Sequence, residues 1–283
     1  MPSLKPLLNE HAPIVAPMAL TPLQAALAEQ TGFKAIYLGG GSLGYEKYYT
    51  EANLNLTEMC QAGLEIGSVS ALPLILDGTG GWGDPMHLHR TIRMTEAAGF
   101  AAIEIEDQLL PKRAHHHVGK DHMIPMELMV DKIREAVAAR RDPDLMIIAR
   151  TNAIREFGLD EALRRAEAYK KAGADMLFVA TVKEDELRKI AAAIEGPHMS
   201  MIWPGLTLPV DELFEAGYQL IVDFVSPLLA SYVAMKKAYE DIYHGRPNEL
   251  VKAAGGGEAV HKMLHETIRL ETLLDVERRT VEK

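Results

Sequence analysis

Cysteine is nearly absent. A single residue, Cys60, rules out a disulfide within the chain and fits a reducing, cytoplasmic setting. Basic charge is also short: 30 Lys and Arg stand against 40 Asp and Glu, a formal net charge of −10. A nucleic-acid footprint needs a clustered cationic excess, so nucleic acid is excluded as a partner and any anion must be caught in a local pocket. No run approaches the roughly 20 apolar residues that span a bilayer, which excludes a membrane helix. The opening stretch, MPSLKPLLNEHAP, lacks the basic start and apolar segment of a secretory signal. Aromatic residues are scarce as well, with Trp82 and Trp203 the only tryptophans.

What the chain does have is a repeat. Thr31-Gly32-Phe33, Ala98-Gly99-Phe100, Ala172-Gly173-Ala174 and Ala216-Gly217-Tyr218 each close a helical pattern and open a short apolar run. A glycine that turns left-handed ends a helix, and a continuous apolar run is the mark of a strand buried on both faces. Completing the pattern gives eight strands, near residues 14–16, 35–38, 72–77, 101–106, 145–150, 176–179, 198–202 and 220–223. Amphipathic helices are expected over 56–66, 86–98, 127–140, 159–172 and 184–194. A doubly wound open sheet alternates in the same way, but no glycine fingerprint follows the first strand, so the closed (β/α)8 TIM barrel of the α/β class is the reading. The barrel is drawn over residues 1–245 and a C-terminal helical arm over 246–283, with helices at 228–243 and 258–281 on either side of the Gly255-Gly256-Gly257 break.

In such a barrel chemistry sits at the C-terminal strand ends. Strand three ends in Asp77, followed by a loop with glycines at 78, 80, 81 and 83, whose bare backbone suits an anion beside a metal-binding acid and equally suits a plain turn. Strand four ends EIEDQ, which points Glu104 and Glu106 to one side and Asp107 to the other. Buried acids need a partner or a cation, so Asp77 and Glu106 are candidate ligands of Mg²⁺, with a structural ion pair as the alternative. Strand five delivers Arg150, able to grip a carboxylate with two parallel hydrogen bonds or to bridge Glu106 or Asp107. The loop PKRAHHHVGKDH that follows strand four reads as a lid. Its three adjacent histidines lack the i, i+4 spacing of a zinc site.

Together these segments resemble the isocitrate lyase and phosphoenolpyruvate mutase superfamily. The resemblance rests on the strand-three Asp before Gly81-Trp82-Gly83, on IEDQ at 105–108, on PKR-x-x-H at 111–116 and on ARTNA at 149–153. It implies a Mg²⁺-dependent enzyme that stabilises an enolate, assembled as a homotetramer by exchange of the last barrel helix. It also implies roles: Asp77 and Glu106 for the metal, Arg150 and the Gly39, Gly40 and Gly41 backbone for a substrate carboxylate, and His116 for the lid.

Several family positions differ here. Thr79 and Ala180 stand where the family has carboxylates, Ser200 and Trp203 where it has Asn and Glu, and Gly39 where it has Ser. The lyase branch carries a lid cysteine that protonates the departing enolate, and here that position is Ala114. His115, His116 or His117 can fill that role, because imidazole titrates near neutrality. The expectation is a carbon–carbon lyase acting on a small 2-hydroxy or 2-oxo carboxylate by retro-aldol cleavage or decarboxylation, with His116 as the proton shuttle. Phosphonopyruvate mutase or hydrolase chemistry is the second reading, and a non-catalytic ligand-binding barrel the third. Trp82 and Trp203, at strand-end loops, wall an apolar pocket or pack beneath the lid.

Overall fold

In the computed structural model, residues 2–202 and 208–282 are described; Trp203 lies outside them. Eight parallel strands follow the chain: β1 (Ile14–Pro17), β2 (Ile36–Leu38), β3 (Leu74–Asp77), β4 (Ala102–Glu106), β5 (Met146–Thr151), β6 (Met176–Val179), β7 (His198–Met201) and β8 (Tyr218–Asp223). Their order is β1-β8-β7-β6-β5-β4-β3-β2. The Ala19 amide donates to the Tyr37 carbonyl at 2.9 Å, and Met18 bridges Tyr37, so the last gap, between β1 and β2, closes as well. This is the (β/α)8 barrel the alternation implied. The glycines that end the repeats, Gly32, Gly99, Gly173 and Gly217, all have positive φ.

Scarcity of aromatics shapes the interior. Ala16, Ile75, Met146, Ile148, Met176, Met199, Met201, Leu220 and Val222 fill the barrel, with Tyr37 and Phe178 as its large rings. Inward positions on neighbouring strands stack in layers, and unbranched methionines fit the gaps between them. Helices Pro85–Ala97, Met126–Ala139, Leu159–Lys171 and Glu184–Ala193 lie within a residue of the expected bounds.

One element departs from expectation. The final helix is two, Gly257–Thr267 and Leu270–Thr280, separated where Arg269 takes φ +55°. The glycine run at 39–41 opens a short helix, Gly40–Glu46. The chain divides into two compact units, Met1–Phe224 and Val225–Lys283, and the helix Ser226–Tyr243 belongs to the second. In the second unit only Leu228 and Asp241 are buried within Ser226–Tyr243, and the three helices after it bury none of their described residues.

Asp107 shows how the outer face of β4 is fixed. Its carboxylate accepts from Thr151 Oγ1 and Tyr169 Oη at 2.7 Å each, from Arg165 at 3.0 Å and from the Asn152 amide at 3.2 Å. Removing one partner of a fully buried pair strands the other charge. Asp107→Ala is therefore expected to lower stability by about 3–5 kcal/mol in urea unfolding, and a loss below about 1 kcal/mol would show that the clamp contributes little.

Candidate active site at the barrel mouth

Register places the site residues side by side. Asp77 pairs with Glu104, and Glu106 with Arg150, at the C-terminal ends of β3, β4 and β5. Alternation sends Glu104 and Glu106 inward while Asp107 faces the helix Leu159–Lys171, where Arg165 and Tyr169 reside.

Asp77 is held by backbone alone: Oδ1 accepts from the Thr79 amide and Oδ2 from the Gly40 amide, both at 3.0 Å. Thr79, at φ +45°, turns its amide back onto the carboxylate. A Cβ on Gly40 would sit 3.3 Å from Asp77 Oδ2 and 3.4 Å from Glu51 Oε2, so a side chain there would press on both carboxylates. Gly39 lies against the ring of Tyr37. The glycine run thus reaches the site, with the Gly40 N–H already donated to Asp77.

Glu106 is almost fully enclosed. It accepts from Lys112 Nζ and, at 2.8 Å, from Asn152 Nδ2, with Arg150 Nε at 3.4 Å. Burial pushes its carboxyl up, but Lys112 and Arg150 override that and hold it below its ordinary value. Lys112 Nζ also contacts Glu51, itself buried, and His116 Nε2 lies 2.5 Å from the same Glu51 oxygen. Against the cost of burial, Lys112 and His116 keep Glu51 ionised well below the usual range. The second nitrogen of His116, Nδ1, meets the Arg113 carbonyl at 3.1 Å, so both ring nitrogens are engaged. Burial alone would lower the His116 pKa; its bond to Glu51 raises it.

Arg150 donates from NH1 to Glu104 at 2.8 Å and from Nε to Asn152 Oδ1 at 3.1 Å, and its guanidinium lies 5.0 Å from the centre of the Phe178 ring. NH2 has no hydrogen-bond partner among the described residues, which leaves one edge of the fork for a ligand. Beneath it Glu104, pushed up to about 7 chiefly by burial, accepts from Tyr37 Oη at 3.2 Å. Trp82 is half-buried and donates its indole N–H to the Leu54 carbonyl at 3.2 Å, bracing the glycine loop. Ala180 packs at the edge of the barrel core, Ser200 Oγ on β7 is buried without a partner among the described residues, and Ala114 is exposed in the lid turn Ala114–Val118. Cys60 is buried in the helix Leu56–Gly67 and burial pushes its thiol up to about 11, which makes it inert.

The arrangement can be tested against a divalent cation. Four carboxylates, Glu51, Asp77, Glu104 and Glu106, converge with Lys112, Arg150 and His116. Only Asp77 among the four lacks a cationic partner within 4 Å among the described residues, and its carboxyl is pushed up by burial and by Glu51. Among the described residues no three acidic, His or Cys side chains form a ready cage. Hard oxygens with a single uncompensated carboxylate suit a Mg²⁺ that keeps waters and takes its remaining ligands from substrate, so the donor set fits that ion.

The family model described as phosphoenolpyruvate phosphomutase matches residues 4–243. A 2-methylisocitrate lyase of Aeropyrum pernix is 37% identical over 84% of this chain and 78% of its own. A 2,3-dimethylmalate lyase of Eubacterium barkeri is 35% identical over 87% and 86%. Among solved structures, a phosphoenolpyruvate phosphomutase from Streptomyces platensis subsp. rosaceus superposes with TM-score 0.89 at 26% identity, covering 98% of both chains. A phosphonopyruvate hydrolase complexed with oxalate and Mg²⁺ gives 0.85 at 28% identity, again over 98% of both. The chain belongs to the isocitrate lyase and phosphoenolpyruvate mutase superfamily.

The structure brings together Asp77, Glu106, Arg150, His116 and the glycine run, all singled out in the sequence. It joins to them Glu104, already aligned with Glu106 by strand alternation, and adds Glu51, Lys112 and Asn152. Lys112 and Asn152 lie inside quoted motifs and were legible there. Glu51, in the short turn Glu51–Asn53, is recruited by tertiary contact and has no local signal.

The His116–Glu51 pair has a pH signature. The folded pKa of His116 is raised, so its contribution to lid order is complete below the unfolded value of about 6.5 and is lost as pH rises through the higher folded value. Side-chain NMR is expected to show His116 titrating above about 6.5, and to fall to that value or below in Glu51→Gln. An unchanged midpoint in Glu51→Gln would contradict the pairing.

Proposed function

We propose that this chain is a Mg²⁺-dependent carbon–carbon lyase that acts on a small 2-hydroxy or 2-oxo carboxylate, by retro-aldol cleavage or decarboxylation through an enolate. The observation that carries the reading is the uncompensated Asp77 beside Glu106, with the free edge of Arg150 adjoining them at the barrel mouth. The named relatives, lyases of methylated 2-hydroxy acids, support it.

Asp77 and Glu106 would hold the ion, which when bound supplies positive charge where an enolate oxygen develops. Arg150, fixed at NH1 and Nε, presents NH2 to the substrate carboxylate, so its orientation is set before the ligand arrives. Lys112 and His116 fasten the lid over the strand ends through Glu51, which excludes water from the reacting carbon. Ala114 offers no acid, so protonation comes from elsewhere in the lid, and decarboxylation is favoured to the extent that it needs no acid while the bond breaks. Phosphonopyruvate chemistry is the second reading, supported by the absent thiol and by the resemblance to the phosphomutase and the hydrolase.

We further propose that the arm completes a homotetramer by exchange of its helices. A 59-residue unit whose apolar side chains, among them Leu229, Val233, Ile242 and Leu250, remain exposed needs another surface to cover them.

Incubation with 2-hydroxy and 2-oxo diacids and with phosphonopyruvate, in Mg²⁺ or EDTA, is expected to release a 2-oxo acid or CO₂ only with the metal, as followed by mass spectrometry. Asp77→Asn is expected to lower kcat by on the order of a hundredfold or more. Turnover of phosphonopyruvate alone would favour the second reading, and turnover of none would refute the first. Sedimentation of the same sample is expected to give a tetramer, and a monomer would overturn the arm's assignment.

A further inference from the structure

We infer that His117 carries the proton in this reaction while His116 fastens the lid; the inference rests on the lyase reading above. His116 has no N–H left to offer, since Nε2 meets Glu51 and Nδ1 meets Arg113. His117 differs in each respect. Its Nδ1 lies 2.9 Å from Tyr45 Oη, while its Nε2 is buried with no partner among the described residues. A buried polar nitrogen left unpaired is uncommon and calls for a reason. Tyr45 belongs to the helix Gly40–Glu46, whose first residue supplies the amide on Asp77, and the His117 ring lies 3.9 Å from that of His116. The His117 ring therefore packs beside His116, which binds Glu51 in the charged cluster at the barrel mouth, in the lid that lacks a thiol.

The charged and titratable groups around His117 are His116, Lys112, Glu51 and Tyr45. Burial and the His116 charge hold His117 below the ordinary imidazole value, so it is neutral at rest, which a base requires. The Tyr45 hydroxyl can rotate to accept from Nδ1–H, leaving the Nε2 lone pair free.

For a 2-hydroxy acid with a carboxylate on C3, the steps balance on one imidazole. Nε2 takes the hydroxyl proton, and the O–H electron pair becomes the second C–O bond as C2–C3 breaks. The C2–C3 pair remains on C3, spread into its carboxylate, and the imidazolium is held by Nδ1–H donating to Tyr45. Nε2–H then delivers the same proton to C3. No net proton, oxidant or further reactant is needed, and the missing lid thiol at Ala114 is replaced.

Kinetics and NMR together test this. His117→Gln is expected to lower kcat by on the order of a hundredfold or more with KM little changed, and to remove the decline of wild-type kcat on the acid side of the pH profile. Tyr45→Phe should lose less. Oxalate, a dianion shaped like a small enolate, is then added with Mg²⁺ to ¹⁵N-histidine-labelled protein. Slowed exchange and a shifted Nε2 signal at His117 would support the assignment, and oxalate binding by His117→Gln would show that the variant is folded. If oxalate binds but His117 does not respond, or if His117→Gln keeps its kcat, the assignment falls and the lyase reading stands. If the Mg²⁺-loaded wild type binds no oxalate, the lyase reading falls and takes the assignment with it.

Discussion

The contact on which the mouth of this barrel depends is the Lys112 ammonium lodged between Glu51 and Glu106. Three elements meet there: the lid, the end of β4 and the turn Glu51–Asn53. Each carboxylate would be costly in that setting without it, and the lysine would be equally costly without them. The two acids raise the Lys112 pKa against its burial, so it stays charged and the clamp persists. A buried ion pair adds little net stability compared with apolar packing, but it admits few geometries, and that restriction positions a reactive surface.

From that clamp the remaining charges fall into place on the two faces of one strand. Inward, Glu104 and Glu106 orient Arg150, with Asn152 bridging the Arg150 and Glu106 side chains. Outward, Asp107 is saturated by Thr151, Tyr169 and Arg165 and locks β4 and β5 to the helix behind them. Asp77, held only by amides, is the one carboxylate of the four without a cationic partner within 4 Å among the described residues. In the proposed reaction that place is taken by one more cation and the open edge of Arg150 by an anion, the minimum for stabilising an enolate.

Much of this was legible before any coordinates. Helix-ending glycines and doubly buried strands announce a barrel, because both follow from local backbone geometry. Polar residues closing apolar strands announce a site, so Asp77, Glu106 and Arg150 stand out, and alternation separates Glu106 from Asp107. What stayed hidden is tertiary. Nothing near Glu51 says that it meets Lys112, and nothing in a row of three histidines says which one is tied down and which keeps an unpaired nitrogen. Arg269, one left-handed residue inside an otherwise continuous helical pattern, divides the last helix without any glycine to mark the break.

The most direct test of the account is calorimetry of oxalate binding, with and without Mg²⁺, to the wild type and to Arg150→Lys. Oxalate is expected to bind the wild type only with the metal and to weaken at least tenfold, about 1.4 kcal/mol, in Arg150→Lys, because a point charge cannot reproduce the held fork. Binding that is indifferent to Mg²⁺, or equal in the two proteins, would contradict a site assembled around Asp77 and the open edge of Arg150.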